Sequence, residues 1–270
     1  MPILNKDMTL CISLAARPSN IGTRFHNYLY DELGLDFIYK AFTTTDLPAA
    51  VGGVRALGIR GCSVSMPFKE DVIALVDRMD PSATAIDSVN TIVNDDGVLT
   101  AYNTDYLAVA HLLKEHQVPA GSSVMLRGSG GMAKAVAAAL KDSGFSEVTI
   151  VARNEVTGTK LAGLYGSQWR PEPGEARADL LINVTPLGMA GADEDALSFD
   201  AETIAEARTV FDVVAFPSET PLIKAARAAG KPVITGAEVI ALQAAEQFAP
   251  YTGVRPTPEQ VRAAGEFSRA

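Results

Sequence analysis

Ser123-Val124-Met125-Leu126-Arg127-Gly128-Ser129-Gly130-Gly131-Met132-Ala133 is an apolar run that ends in small residues and leads into an alanine-rich segment. Ser123 to Leu126 reads as a buried strand, and Met132 to Leu140 as a helix closed by Gly144. Gly128-x-Gly130-x-x-Ala133 therefore stands between a strand and a helix, the setting this pattern needs. Small residues let the chain turn tightly and let a pyrophosphate approach the free N–H groups of the helix N-terminus. A plain strand–helix turn is the alternative. The setting favours a dinucleotide and makes Gly128, Ser129, Gly130, Gly131, Met132 and Ala133 candidate cofactor residues.

The next strand, Val148 to Val151, chooses between cofactors. An NAD site usually carries an acidic residue at its end. Here Ala152-Arg153-Asn154 follows. Arg153 offers a fork of N–H donors to a 2′-phosphate, and Lys160 adds charge nearby. Glu155 is the counter-signal, so NADP is favoured with NAD as the alternative.

Strands and helices alternate along the whole chain, which points to α/β layers with mostly parallel sheets. Upstream strands are expected at Thr9 to Leu14, Phe37 to Phe42 and Gly61 to Ser65. Helices are expected at Thr23 to Leu33, from Asp46 towards Leu57, and at Lys69 to Val76. Ser88 to Asn94 and Val98 to Ala101 form a hairpin around Asp96-Gly97. A helix follows at Asp105 to His116, and the first domain boundary falls there. Later strands are expected at Ala178 to Asn183, Val210 to Val214 and Pro232 to Ile234. Ala237 to Phe248 is a helix, and the tail from Pro256 another.

Gly61-Cys-Ser-Val-Ser-Met-Pro-Phe-Lys69 places Ser65 at the carboxyl edge of a strand, stopped by Pro67, which has no N–H for the ladder. Lys69 follows on a short tether as a candidate proton donor. Tyr102-Asn-Thr-Asp105 offers it a carboxylate, an arrangement suited to proton exchange with an alcohol oxygen. An ordinary sheet-edge salt bridge is the alternative. Asn90 and Asn103 bracket the hairpin, where Asn suits either a vicinal diol or a turn. His26, in the first helix, reads as structural.

The chain has 270 residues, 47% hydrophobic and 20% charged, which suits one large or two smaller globular domains. A net charge of −9 argues against a nucleic-acid or anionic-membrane surface. Cys11 and Cys62 read as buried free thiols. With three histidines they show no metal-ligand spacing, so no metal is expected. No apolar run approaches the ~20 residues of a spanning helix, and the protein is expected in the cytoplasm.

Taken together, the chain resembles the shikimate dehydrogenase family. The matching segments are Ser63-Val-Ser-x-Pro-Phe-Lys69, Ser88-Val-Asn-Thr91, Asn103-Thr-Asp105, Gly128-Ser-Gly-Gly131, Asn183-Val-Thr-Pro-Leu-Gly-Met189, Thr220-Pro-Leu222 and Gln243. They occur in the family's order across nearly the whole chain. The resemblance implies a two-domain α/β enzyme. An N-terminal substrate domain with a mixed sheet (1–105 with 240–270) would carry the returning C-terminal helices. A Rossmann-like NADP-binding domain (106–239) would lie across a cleft from it. It implies Lys69 and Asp105 as the catalytic dyad, Ser65, Asn90 and Gln243 as substrate contacts, and Arg153, Asn154, Thr185, Val213 and Gly236 among the cofactor residues. The implied reaction is reversible, NADPH-dependent reduction of 3-dehydroshikimate within aromatic amino acid biosynthesis. The partner is then a small-molecule substrate, and the chain a monomer or homodimer.

The departures fall at one end of the substrate. The family usually has a Ser-x-Ser pair before its first-helix histidine to bind the substrate carboxylate, and Asn20 and Gly22 hold those positions here. Ala215 replaces a usual tyrosine. This places the chain in the divergent, shikimate dehydrogenase-like branch. Quinate or another polyol acid is an alternative substrate, and a nucleotide-binding regulator without turnover an alternative class.

Overall fold

The structure is a computed structural model that describes residues 4–269. The chain folds into two compact units. One comprises the chain up to Leu107 together with the stretch from Ala241 onward, and the other is Ala108–Ile240.

The first unit opens with β1 (Thr9–Leu14), α1 (Ile21–Glu32), β2 (Phe37–Phe42), α2 (Leu47–Ala56) and β3 (Gly61–Val64). Asp46 caps α2, accepting from Ala49 N at 2.9 Å. A 3₁₀ turn at Asp71–Leu75 leads to β4 (Arg78–Met79), α3 (Pro81–Thr84), β5 (Thr91–Asp95) and β6 (Val98–Tyr102). Then α4 (Thr104–Glu115) leads into the second unit. The sheet order is β2-β1-β3-β5-β6-β4. β1, β2 and β3 run parallel, whereas β5 is antiparallel to both β3 and β6, so this sheet is mixed. The hairpin turn has positive φ at both Asp96 and Gly97, the chemistry its sequence requires.

Alternation along the strands gives this sheet two apolar faces. Ile12, Leu14, Cys62, Val64 and Ile92 pack with Val51 and Val54 of α2. On the other face Cys11 and Tyr39 pack with Phe25 and Leu29 of α1 and with Phe248 and Tyr251. Both cysteines are buried and free.

The second unit contains β7 (Val124–Arg127), α5 (Gly131–Asp142), β8 (Val148–Val151), α6 (Glu155–Tyr165), β9 (Gln168–Arg170) and β10 (Leu180–Asn183). It continues with α7 (Ala201–Glu206), β11 (Thr209–Asp212), α8 (Pro221–Ala228) and β12 (Val233–Ile234). Its sheet, β12-β11-β10-β7-β8-β9, is parallel throughout. The order reverses beside β7, and such a switch point opens a crevice at the carboxyl ends of the strands. The last helices are α9 (Gly236–Thr252) and α10 (Pro258–Arg269).

Three local readings change. Thr91, not Ser88, starts the first hairpin strand, because the backbone N–H groups of Ser88 and Val89 go to Ala83 O and Lys69 O and not to a neighbouring strand. The segment after Lys69 is a 3₁₀ turn and not an α-helix. The strands β4 and β9 have two and three residues, too few for a period-2 pattern to show.

Candidate active site

Lys69 and Asp105 meet in the first unit. β3 ends at Val64, and the chain turns through Ser65 to Phe68, closed by Phe68 N donating to Ser65 O at 3.0 Å. Phe68 packs on the core, and Val89 N donates to Lys69 O at 2.8 Å, so the lysine backbone is fixed on both sides. Asp105 lies in the first turn of α4, where the helix dipole favours a carboxylate. Lys69 Nζ donates to Asp105 Oδ2 at 2.7 Å. The side chains keep 28% and 15% of their exposure, so the pair is sheltered yet reachable. Ser65 is exposed at the strand edge.

Asn90 is oriented by the same helix start. Its Oδ1 accepts from Thr104 N at 2.8 Å, from Thr91 Oγ1 at 2.9 Å and from Thr104 Oγ1 at 3.1 Å. The carbonyl is saturated, and the buried Nδ2 has no partner among the described residues. A buried unpaired donor costs stability, commonly ~1–3 kcal/mol. That cost fits a group kept for a ligand acceptor. Asn103, by contrast, is spent on the fold: Nδ2 donates to Ser88 O at 2.9 Å and Oδ1 accepts from Tyr106 N at 3.1 Å.

On α9, Gln243 is half-buried and makes no side-chain hydrogen bond among the described residues. Gln247, one turn on, is the buried one. Its Nε2 donates to Thr91 Oγ1 at 3.1 Å and to Asn90 O at 3.3 Å. Sequence reasoning missed Gln247, although its spacing of four from Gln243 puts both on one helical face.

The expected carboxylate end is built differently. Asn20 caps α1 by position but forms no side-chain cap bond, and it is exposed. A Cβ at Gly22 would sit 3.7 Å from the Tyr39 hydroxyl. Tyr39 is buried, with Ser63 and Ser13 beside its phenol. His26 stacks on Tyr39 with centroids 4.4 Å apart. Neither imidazole nitrogen has a hydrogen-bond partner among the described residues, and burial pushes the His26 pKa down to about 3. Gln247 opposes this, without a hydrogen bond to either ring nitrogen. The ring is therefore structural and neutral.

In the second unit a cavity of about 760 Å³ opens along the carboxyl ends of β7, β8, β9 and β10. Gly128, Ser129, Arg153, Asn154 and Thr185 line it, together with Arg127, Glu172 and Asp193, which sequence reasoning did not single out. Gly128 has φ +130°, and a Cβ there would press on Val184 Cγ2 at 2.6 Å. Gly130 and Gly131 differ: a Cβ on either would meet nothing within 4 Å. Protein packing does not require glycine at these two positions. Both are exposed at a helix N-terminus without a side-chain cap, and neither lines the cavity. Arg153 is exposed and has no ion-pair partner among the described residues.

Other candidates have structural employment. Ala133 is fully buried and packs α5 on its sheet. Met132 is half-buried and, like Val213, does not line the cavity. Asn154 caps α6, accepting from Thr157 N at 3.1 Å. Ser129 Oγ meets Thr157 Oγ1 at 2.7 Å, tying the glycine loop to that cap. Gly236 is buried against the backbone of Val213 and Val214, where a Cβ has no room. The loop carrying Thr185 is shaped by Asn183, whose Oδ1 accepts from Thr185 Oγ1 at 2.6 Å and whose Nδ2 donates to Asp212 Oδ1 at 3.0 Å. Burial raises the Asp212 pKa, partly offset by bonds from Thr220, Val214 and Asn183. No group of three or more His, Cys, Asp or Glu suited to a metal exists among the described residues. None of the described helices is long and apolar enough to cross a membrane.

Comparison with known proteins places the chain in a family. The model of the shikimate dehydrogenase substrate binding domain matches residues 20–92. A shikimate dehydrogenase-like protein of Haemophilus influenzae is 55% identical over 99% of both chains. The shikimate dehydrogenase (NADP(+)) of Methanothermobacter thermautotrophicus is 35% identical over 86% of each. The solved shikimate 5-dehydrogenase of Thermus thermophilus, in complex with NADP(H) and shikimate, superposes with a TM-score of 0.87 at 30% identity, covering 97% of this chain and 100% of that one. With a Rossmann-like parallel sheet in one unit and a mixed sheet in the other, the chain belongs to the shikimate dehydrogenase family, on a branch whose relative at 55% identity is itself named only as shikimate dehydrogenase-like.

Proposed function

We propose that this chain is an NADP-dependent alcohol dehydrogenase that interconverts 3-dehydroshikimate and shikimate, or a closely related cyclic hydroxy acid. The 2.7 Å contact between Lys69 and Asp105 carries this reading. NADPH bound in the second unit, with its phosphates at the glycine loop and its 2′-phosphate on Arg153, would supply a hydride to the ketone carbon. The Lys69 ammonium donates a hydrogen bond to the ketone oxygen and gives it a proton as the alcohol forms. Asp105 fixes the ammonium's position. Asn90 Nδ2 donates to a neighbouring substrate oxygen, and Ser65 and Gln243 lie with it on the same unit.

Gly22 leaves the expected carboxylate end without a hydroxyl that the family usually has there. A hydrogen bond to a charged group is worth about 1.5–3 kcal/mol, so a high KM for shikimate is expected.

The test is NADPH oxidation with 3-dehydroshikimate, and the reverse reaction with shikimate, quinate and related acids. Lys69→Met should keep its affinity for NADP⁺ and lose at least about a hundredfold in turnover, the usual scale for a lost general acid. Undiminished turnover in that variant would refute the role of the lysine. Tight NADPH binding with no acid oxidised at any pH would instead indicate a regulatory protein.

A further inference from the structure

The glycine loop does not account for one ion pair in the dinucleotide cavity. Arg127 is the last residue of β7, and Glu172 stands two residues beyond β9. Both line the cavity, as do Arg153 and Asp193. Arg127 Nη2 lies 3.2 Å from Glu172 Oε2, and Nη1 donates to Ser198 O. The guanidinium also lies 6.0 Å from the Phe199 ring centroid. Burial lowers the Arg127 pKa, Glu172 opposes that, and Arg153 lowers it further, so the two arginines feel one another.

Resting on the reading of this cavity as the dinucleotide site, we infer that the Arg127–Glu172 pair sets the choice between a 2′-phosphorylated and an unphosphorylated dinucleotide. Glu172 compensates Arg127, so among the described residues that line the cavity Arg153 is the cation left to a 2′-phosphate. The bond from Arg127 to Ser198 O holds the guanidinium in place when Glu172 is changed. Losing the carboxylate leaves two cations facing the phosphate. Losing the guanidinium leaves Glu172 uncompensated and repelling it. NAD has no 2′-phosphate, so its binding responds far less to either change. Arg127 is thus a specificity-determining residue that precedes the glycine motif.

The test is direct binding of NADP⁺ and NAD⁺ by calorimetry to the whole chain and to Glu172→Gln, Arg127→Met and the double variant. Glu172→Gln should raise the preference for NADP⁺ about fivefold, the scale of one charge removed at several ångströms in partly screened surroundings. Arg127→Met should lower it by a similar factor, the double variant should return close to the parent, and added salt should shrink all three differences. Because Glu172 is exposed and Gln is isosteric, that variant decides the matter even where Arg127→Met folds poorly. An unchanged NADP⁺/NAD⁺ ratio in Glu172→Gln, with the parent binding NADP⁺, overturns the inference alone. A parent that binds neither dinucleotide overturns the cofactor reading itself, and the inference with it.

Discussion

The backbone N–H of Thr104 donates to Asn90 Oδ1 at 2.8 Å, one residue before Asp105. The helix start that carries the proposed acidic partner also sets which way the Asn90 amide faces. With Thr91 and Thr104 hydroxyls on the same oxygen, the amide cannot flip without losing three donors.

Asn90→Ala should therefore be costly twice over. It strands the Thr104 N–H and removes the free Nδ2. A loss of about 1–3 kcal/mol in folding stability is expected from the stranded donor, measured by urea unfolding, together with a raised KM in the shikimate assay. A variant of parental stability would mean that the Thr104 N–H finds another acceptor.

Gly22→Ser tests the rebuilt end of the substrate site. The new Cβ would meet only the Tyr39 ring and hydroxyl at 3.7–4.0 Å, an ordinary contact, so the fold should accept it. A restored hydroxyl should lower the KM for shikimate by about tenfold or more, on the usual worth of one bond to a charged group. No change in KM, in a variant with unaltered Tm, would show that the substrate carboxylate binds elsewhere.

Gly130→Ala and Gly128→Ala separate ligand space from packing. Gly130→Ala should leave Tm near the parental value, since nothing of the protein lies within 4 Å of the added methyl, yet weaken NADP⁺ binding. Gly128→Ala should lower Tm as well, because φ is +130° and Val184 is in the way. Equal NADP⁺ affinity in Gly130→Ala would remove the pyrophosphate from this loop.

His26 gives a pH dependence of stability with a definite sign. Its folded pKa is about 3, depressed by burial, against 6.5 for the free side chain. Between these values the unfolded chain binds the proton and the folded chain does not. Stability present above pH 6.5 should thus fall as the pH drops towards 3, by up to about 1.4 kcal/mol per pH unit. His26→Phe should flatten this slope in urea midpoints taken from pH 7 to 4. A parental slope in that variant would assign the acid sensitivity to other groups.

The amino-acid sequence by itself determined the α/β alternation, the strand–glycine loop–helix order and the hairpin at Asp96-Gly97, and it nominated Lys69, Asp105 and Arg153 as candidates. Each of these rests on local chemistry: periodicity, turn residues, or a charge at a strand end. Only the tertiary structure decided which polar groups are free. It brought Lys69 to Asp105 across 36 positions, tied the Asn103 amide to Ser88 O, placed Gln247 under Asn90, and set Arg127 against Glu172. Hydrogen-bond satisfaction depends on neighbours distant in the chain, so residue type and spacing cannot report it.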